Sequence, residues 1–375
     1  MGKNSRNTKS LIGVLACAAV PLTGWAQSSS LQIYGVMDLG LSSYRAEGAG
    51  SRQMLTSSGN QASRIGFRGY EALGDGVGAG FDMEAGLNAD TGTGQVSNTN
   101  NQPSGATSNS SGALTFNRKS FLYLRSQSLG EIRLGRDYTP AFWNMFLYDP
   151  FRVGVGMSAH VLHGTTVTSF RASNSVGYLS PGCSGPGCKG LFFQGMIAFG
   201  ENSGGPDRQN GRVYGARAGY GGKNWDAAVG LATTLNKAAD DYAQYNAAAS
   251  YLWQDHKFMV LVGENRTGNR IATLDNADRV RFWQLGAVWK VGAAGNIPMS
   301  FMRLTRNDAS GSSSQKYAMG YVHNLSKRTA LYGTYTYVDN KGSINLPVAT
   351  GSLSGPIPVP GGNASGFDLG LRHSF

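Results

Sequence analysis

The segment GFDLGLRHSF, residues 366–375, reads at period two: Phe367, Leu369, Leu371, His373 and Phe375 share one face, and Gly366, Asp368, Gly370, Arg372 and Ser374 share the other. One face is apolar and the other small or charged, so the segment is a two-faced strand. Its last residue is the aromatic Phe375, which predicts a chain that stops while still paired in a sheet. A soluble sandwich and a closed barrel both allow that ending, and the segments before it decide between them.

Read outward from this strand, similar segments recur every ten residues or so. KYAMGYVHNLS and TALYGTYTYVDN flank Lys327-Arg328, and RVRFWQLGAVWKVG and IPMSFMRLTRND flank Ala293 to Asn296. Farther back, SRIGFRGYEAL turns at Gly74-Asp75-Gly76 into VGAGFDMEAGLNA, and LQIYGVMDLGLSSY opens the series. Sixteen such segments are joined alternately by short turns and by longer polar loops, among them Arg45 to Asn60, Asp90 to Gly112 and Ser343 to Ser365. The faces differ in kind. Tyr214, Ala216, Ala218 and Tyr220 oppose Arg217; Trp283, Leu285, Ala287, Trp289 and Val291 oppose Gln284 and Lys290; Ile65 and Phe67 oppose Arg64, Gly66 and Arg68. Charges along one face, with aromatics near the ends of the other, suit lipid outside and water inside. The expected fold is all-β, a sixteen-stranded antiparallel transmembrane β-barrel. A closed wall also lets residues 27–375 form a single domain, where that length would otherwise predict two.

The start of the chain fits export. Lys3, Arg6 and Lys9 precede an apolar run from Leu11 to Leu22 and then Gly24-Trp25-Ala26, which predicts a signal peptide over residues 1–26 cleaved after Ala26. Without those three cations the 33 basic residues fall to 30 against 22 acidic ones, a net of +8. The charges are scattered, which argues against nucleic acid as a partner and for a bias on small ions. Cys183 and Cys188 in SPGCSGPGCKG are the cysteines left after the leader, and in an exported chain they predict a local disulfide bracing a turn.

The stretch SRIGFRGYEALGDGVGA, with LGRDYTPAF, the long interruption after it and the terminal Phe375, resembles the trimeric general porins of Gram-negative outer membranes, in particular the β-proteobacterial group. The resemblance covers essentially the whole mature chain. It implies a homotrimer in the cell outer membrane, in contact with outer-membrane lipid and lipopolysaccharide and inserted by the barrel-assembly machinery. It also implies that the third long loop, residues 137–167, folds inward to narrow the channel. By its motifs, Arg64 and Arg68 match the two basic positions of an RIGFKG-type strand, Arg136 the Arg of the LGR strand end, and Arg171 a fourth cation after the loop. Together they are the expected cationic wall of the pore constriction. The family's facing carboxylates are sparse here: Asp149 is the only one between Thr139 and Ser169, and Asp38 on the first strand is a second candidate. Several guanidiniums in a narrow throat raise the local anion concentration, so the expected channel passes small hydrophilic solutes and inorganic ions with a weak to moderate anion preference. Phe375 takes the place of the aromatic that serves as the family's assembly signal.

Other chemistry finds little support. Gly74-Asp75-Gly76 through Ala79 matches a loose dinucleotide-binding pattern without a following helix and reads as a turn. His160 and His163 lack a third ligand for a metal, and there is no GxSxG elbow. Neither cofactor nor enzymatic activity is expected. The alternatives are a substrate-specific porin, for example for anionic solutes, and an adhesin or binding barrel acting through its long loops.

Overall fold

The computed structural model describes residues 29–105, 112–158, 167–184, 187–205, 207–237, 241–266, 279–308, 311–349 and 355–375. The expected leader, and with it His160 and His163, lies outside them. Sixteen strands form one ring: β1 (Ser29–Ala46), β2 (Arg64–Gly74), β3 (Val77–Asn88), β4 (Lys119–Ser126), β5 (Gly130–Tyr138), β6 (Arg171–Leu179), β7 (Gly190–Ala198) and β8 (Val213–Gly221) make the first half. The second half is β9 (Trp225–Thr234), β10 (Tyr242–Trp253), β11 (His256–Arg266), β12 (Arg279–Val291), β13 (Gly295–Arg306), β14 (Ser313–Asn324), β15 (Thr329–Lys341) and β16 (Ala364–Ser374). Each pairs antiparallel with its chain neighbours, and β16 returns to β1, so no edge is left to template aggregation.

A closed barrel joins its last strand to its first, here Leu31 to Leu41 by the sequence pattern, and the observed register differs from that full overlap. Val36 to Ala46 pairs with Ser374 to Ala364, while Ser29 to Val36 pairs on the other side with Glu71 to Arg64 of β2. That stagger is what strands tilted in a closed barrel require. A second difference lies in the segment read as a loop from Arg45 to Asn60: β1 runs on to Ala46, turns, and pairs with an arm at Gly50–Ser57. The arm continues the wall beyond the end of β2. Its sequence GSRQMLTS has no apolar face, which is why periodicity does not reveal it.

Alternation sorts the side chains as a membrane barrel needs. Leu122, Leu124, Ile132, Leu134, Val229, Leu231, Val260, Val262, Leu285 and Leu369 all stand exposed on the outside. Leaving such side chains in water would cost about 1.5–3 kcal/mol each, so the outer face calls for lipid. The inward positions between them hold buried polar groups such as Gln244, Asn246, Gln284 and Lys316. Two aromatic levels border the apolar band. Trp225, Tyr251, Trp253, Phe258 and Trp289 mark the short-turn end, and Trp283, Phe301 and Tyr317 pack edge-on and tilted, with ring centroids 5.1 and 4.9 Å apart, toward the long-loop end. His373, an odd polar residue on the outer face, sits one residue from the end of β16, where its Nδ1 lies 2.9 Å from the Thr329 hydroxyl at the short-turn rim. Among the short turns, the one joining β6 and β7 carries the bonded pair Cys183–Cys188.

After β5 the chain enters helix α1 (Pro140–Leu147), which starts on Pro140 with Thr139 extended at its N-cap. Eight residues make a marginal helix on their own, and tertiary contacts hold it. Phe142 stacks on Tyr138, Trp143 packs against the same ring at a tilt, and the helix packs on β8, β9 and β10.

Candidate functional site

The inner face of β1 to β6 carries most of the charge, and its geometry follows from cross-strand rungs. Arg64 and Arg68 are two residues either side of Gly66 on β2, so both project inward, and β3 answers with Glu84 opposite Gly66 and Asp82 opposite Arg68. Arg64 Nε lies 3.2 Å from Glu84 Oε2, and Arg118 Nε lies 2.5 Å from Glu84 Oε1. Lys119 Nζ reaches Asp82 at 3.0 Å, and the Tyr34 hydroxyl donates to Asp82 at 2.9 Å and to Glu84 at 3.1 Å. Arg68 is exposed and donates twice to Gln32 Oε1, at 2.9 and 2.6 Å. Arg171 stands over the ring of Tyr138 at 4.4 Å and donates to its hydroxyl at 2.8 Å; Arg118 approaches the same ring at 6.0 Å. Three cations thus pair with two carboxylates, while Gln32 holds Arg68 and the Tyr138 hydroxyl and ring hold Arg171.

Arg136 has a different task. Its Nε donates to the Asn117 carbonyl at 2.6 Å, and Nη1 donates to the Asn98 carbonyl at 3.1 Å and the Ser173 hydroxyl at 2.7 Å. All three acceptors belong to the second long loop or to β6, so this guanidinium ties that loop to the wall. The two acids singled out in the sequence are likewise spent on structure. Asp149 is 1% exposed and accepts the backbone N–H groups of Phe151 at 3.0 Å and Ser158 at 2.6 Å. Burial pushes its carboxyl above the usual range, and those N–H bonds oppose the shift. Asp38 is 0% exposed and accepts from Asn60 N–H, Gln61 N–H and the Tyr332 hydroxyl at 2.9, 2.5 and 2.6 Å, fixing the turn before β2. The carboxylates paired with Arg64, Arg118 and Lys119 are Glu84 and Asp82, none of which but Arg64 stood out along the sequence. Their signal was present in the inward parity of β3, but only pairing with β2 and β4 brings them to the arginines.

The loop between β5 and β6 lies against inward-facing side chains as far as it is described. Asn144 accepts from Arg217 Nε at 2.6 Å and donates to Asn246 Oδ1 at 2.9 Å, and Asn246 donates to the Ala141 carbonyl at 3.0 Å. Farther on, Lys316 Nζ donates to the Met157 carbonyl at 2.8 Å and the Val348 carbonyl at 3.1 Å. Gly154, at φ +78°, passes so close to the Gly59 carbonyl that no Cβ fits. Among the described residues of this loop Tyr148 and Asp149 are buried, whereas the cation Arg152 is exposed. Among the described residues no group of His, Cys, Asp and Glu is arranged to hold a metal ion.

Comparison with known proteins agrees with this architecture. Residues 13–343 match the family model described as Gram-negative porin. The chain is 32% identical over 380 residues to outer membrane porin protein 32 of Delftia acidovorans, covering 98% of this chain and 99% of that protein. Among solved structures, the anion-selective porin from Comamonas acidovorans superposes with a TM-score of 0.78 at 29% identity, over 93% of this chain and 100% of that one. OmpF of Salmonella typhi, at 15% identity and a TM-score of 0.65 over 92% and 97% of the two chains, shares the fold. Ring closure, an apolar outer face and a polar inner face, and a family match running through nearly the whole barrel establish the chain as a member of the Gram-negative porin family, a channel of the outer membrane.

Proposed function

We propose that the channel conducts small hydrophilic solutes and ions as a homotrimer, with a moderate preference for anions. The observation that carries this reading is the charge balance of the inner surface: Arg64, Arg68, Arg118, Lys119 and Arg171 stand against Asp82 and Glu84, and the inner loop exposes Arg152 while burying Asp149. A guanidinium keeps its charge at any relevant pH, and low-dielectric walls focus its field on the permeating ion. An anion-selective relative with a similar fold supports the same sign. The triple variant Arg64→Ser, Arg68→Ser, Arg171→Ser in a planar bilayer under a salt gradient tests it. The reversal potential is expected to move toward cations, with the anion/cation permeability ratio falling roughly three- to tenfold. An unchanged ratio refutes the reading.

A further inference from the structure

Ten residues, 180–189, join β6 to β7, where the other short turns take two to four. The extra length folds inward. Cys183 and Ser184 pair antiparallel with Cys188 and Gly187, and the Lys189 N–H closes the base by donating to the Gly182 carbonyl at 3.2 Å. This small hairpin lies on the inner wall. Gly221, the last residue of β8, stands at inward parity, and a Cβ there would collide with the Cys188 carbonyl. On β7, Phe192, Gln194 and Met196 face inward and are buried, while Leu191, Phe193 and Ile197 stand exposed outside. It is the inward Gln194 whose Nε2 donates to Cys188 Sγ at 3.6 Å.

From there a column of side chains rises to the loop after β5. Gln194 Oε1 accepts from Arg217 Nη1 at 3.3 Å, and Arg217 Nε donates to Asn144 Oδ1 of helix α1 at 2.6 Å. Gln194 and Arg217 are each 3% exposed and Asn144 0%, so a displaced member has no solvent to turn to. The two half-buried cysteines also pack against the apolar cluster that holds Phe142 and Trp143 of the helix. The bond spans a sequence separation of only 5, and the entropy a disulfide removes from the unfolded chain grows with loop length. It therefore adds little to closing sixteen strands. What it fixes is local, the place of Cys188 Sγ beneath Gln194. We propose that the Cys183–Cys188 hairpin is a positioning element of the channel, the foot of a column that holds α1 in the lumen and so sets the conductance from the short-turn side. This rests on the loop after β5 narrowing the pore, and it concerns pore size rather than ion preference.

The test compares wild type in planar bilayers with the double variant Cys183→Ser, Cys188→Ser, with Gln194→Met and with Asn144→Ala, each shown to be folded by heat-modifiable gel mobility. The double variant keeps an acceptor at both positions and loses only the bond. Its mean single-channel conductance is expected to rise roughly 1.5- to 2-fold with noisier open levels, and added protease should cut the loop after β5 about threefold faster, at an unchanged reversal potential. Gln194→Met is expected to reproduce the change with the bond intact, and combining it with the cysteine pair should add nothing, as for two cuts in one column. If the double variant fails to fold, a water-soluble trialkylphosphine added to the assembled wild-type channel carries the test. The phosphine gives two electrons to the disulfide and takes the oxygen of a water as its oxide, the two protons of that water complete the two thiols, and alkylation verifies them. The same rise is expected. Conductance and cleavage equal to wild type after loss of the bond, while Asn144→Ala changes both, overturn the role of the hairpin alone. Equality in every variant overturns the loop as the constriction, and the hairpin with it. A fall in conductance would make the freed hairpin a plug rather than a foot, and additive effects of the Gln194 and cysteine changes would break the column; either result also overturns the proposal.

Discussion

Glu84 is the residue on which the inner wall turns. Its side chain is 5% exposed and gathers Arg64, Arg118 and the Tyr34 hydroxyl at 3.2, 2.5 and 3.1 Å. Without it the same arginines would repel one another in a partly dry wall, so Glu84 both permits the cluster and subtracts from its field. Glu84→Gln is expected to raise the anion/cation permeability ratio while destabilising the barrel by about 3 kcal/mol, the scale for stranding buried cations. Reversal potentials and urea unfolding in lipid vesicles read the two effects separately; a fall in the ratio would place Glu84 outside the permeation field. The shared face of Arg64 and Arg68 on β2 was legible from period two, with Ile65 and Phe67 on the other face. Arg118, Lys119, Asp82 and Glu84 were not, since nothing along the chain says which residue of β3 faces which residue of β2 and β4. Asp149 misled for a related reason. A lone acid in an inner loop reads as a channel charge until the N–H groups of Phe151 and Ser158 are seen around it.

At the scale of elements, legibility followed the lipid. Every strand with an apolar outer face could be read from period two, from β1 through β16, because the bilayer demands that alternation. The Gly50–Ser57 arm, polar on both faces, left no such trace. Helix α1 is the opposite case: its sequence PAFWNMFL is too apolar to float, so its docking was foreseeable, but its partners were not. Asn144 is the pivot, through its bonds to Arg217, Asn246 and the Ala228 carbonyl at 2.6, 2.9 and 3.3 Å. The first is charge-assisted and contributes about 1.5–3 kcal/mol. Asn144→Ala is therefore expected to leave the barrel assembled and free the loop to fluctuate. Single-channel traces should become noisier with a higher mean conductance, and protease added to the assembled protein should cut the loop faster. Traces and cleavage rates equal to wild type would mean that the packing of Phe142 and Trp143 on Tyr138 suffices to hold it.

For the molecule as a whole, everything depends on joining strands from opposite ends of the chain. β1 and β16 meet across the full sequence, and the last rung is a reciprocal pair: Gly35 N–H donates to the Phe375 carbonyl and Phe375 N–H to the Gly35 carbonyl, both at 3.1 Å. The Phe375 ring lies over Gly35 where a Cβ would collide, so glycine there lets the aromatic close the seam. Two backbone bonds contribute about 1–3 kcal/mol together, a small part of a ring held by rungs along sixteen strands. Deleting Phe375 should thus change the finished barrel little. If the terminal aromatic is also read by the assembly machinery, the deletion should sharply lower the amount of folded protein reaching the outer membrane, while Phe375→Tyr, which keeps an aromatic ring and the backbone rung, should restore it. Outer-membrane yield and single-channel conductance, measured on both variants, separate the two roles. Normal yield from the truncated chain would confine Phe375 to closing the seam, and normal yield with altered conductance would show that the seam reaches the pore.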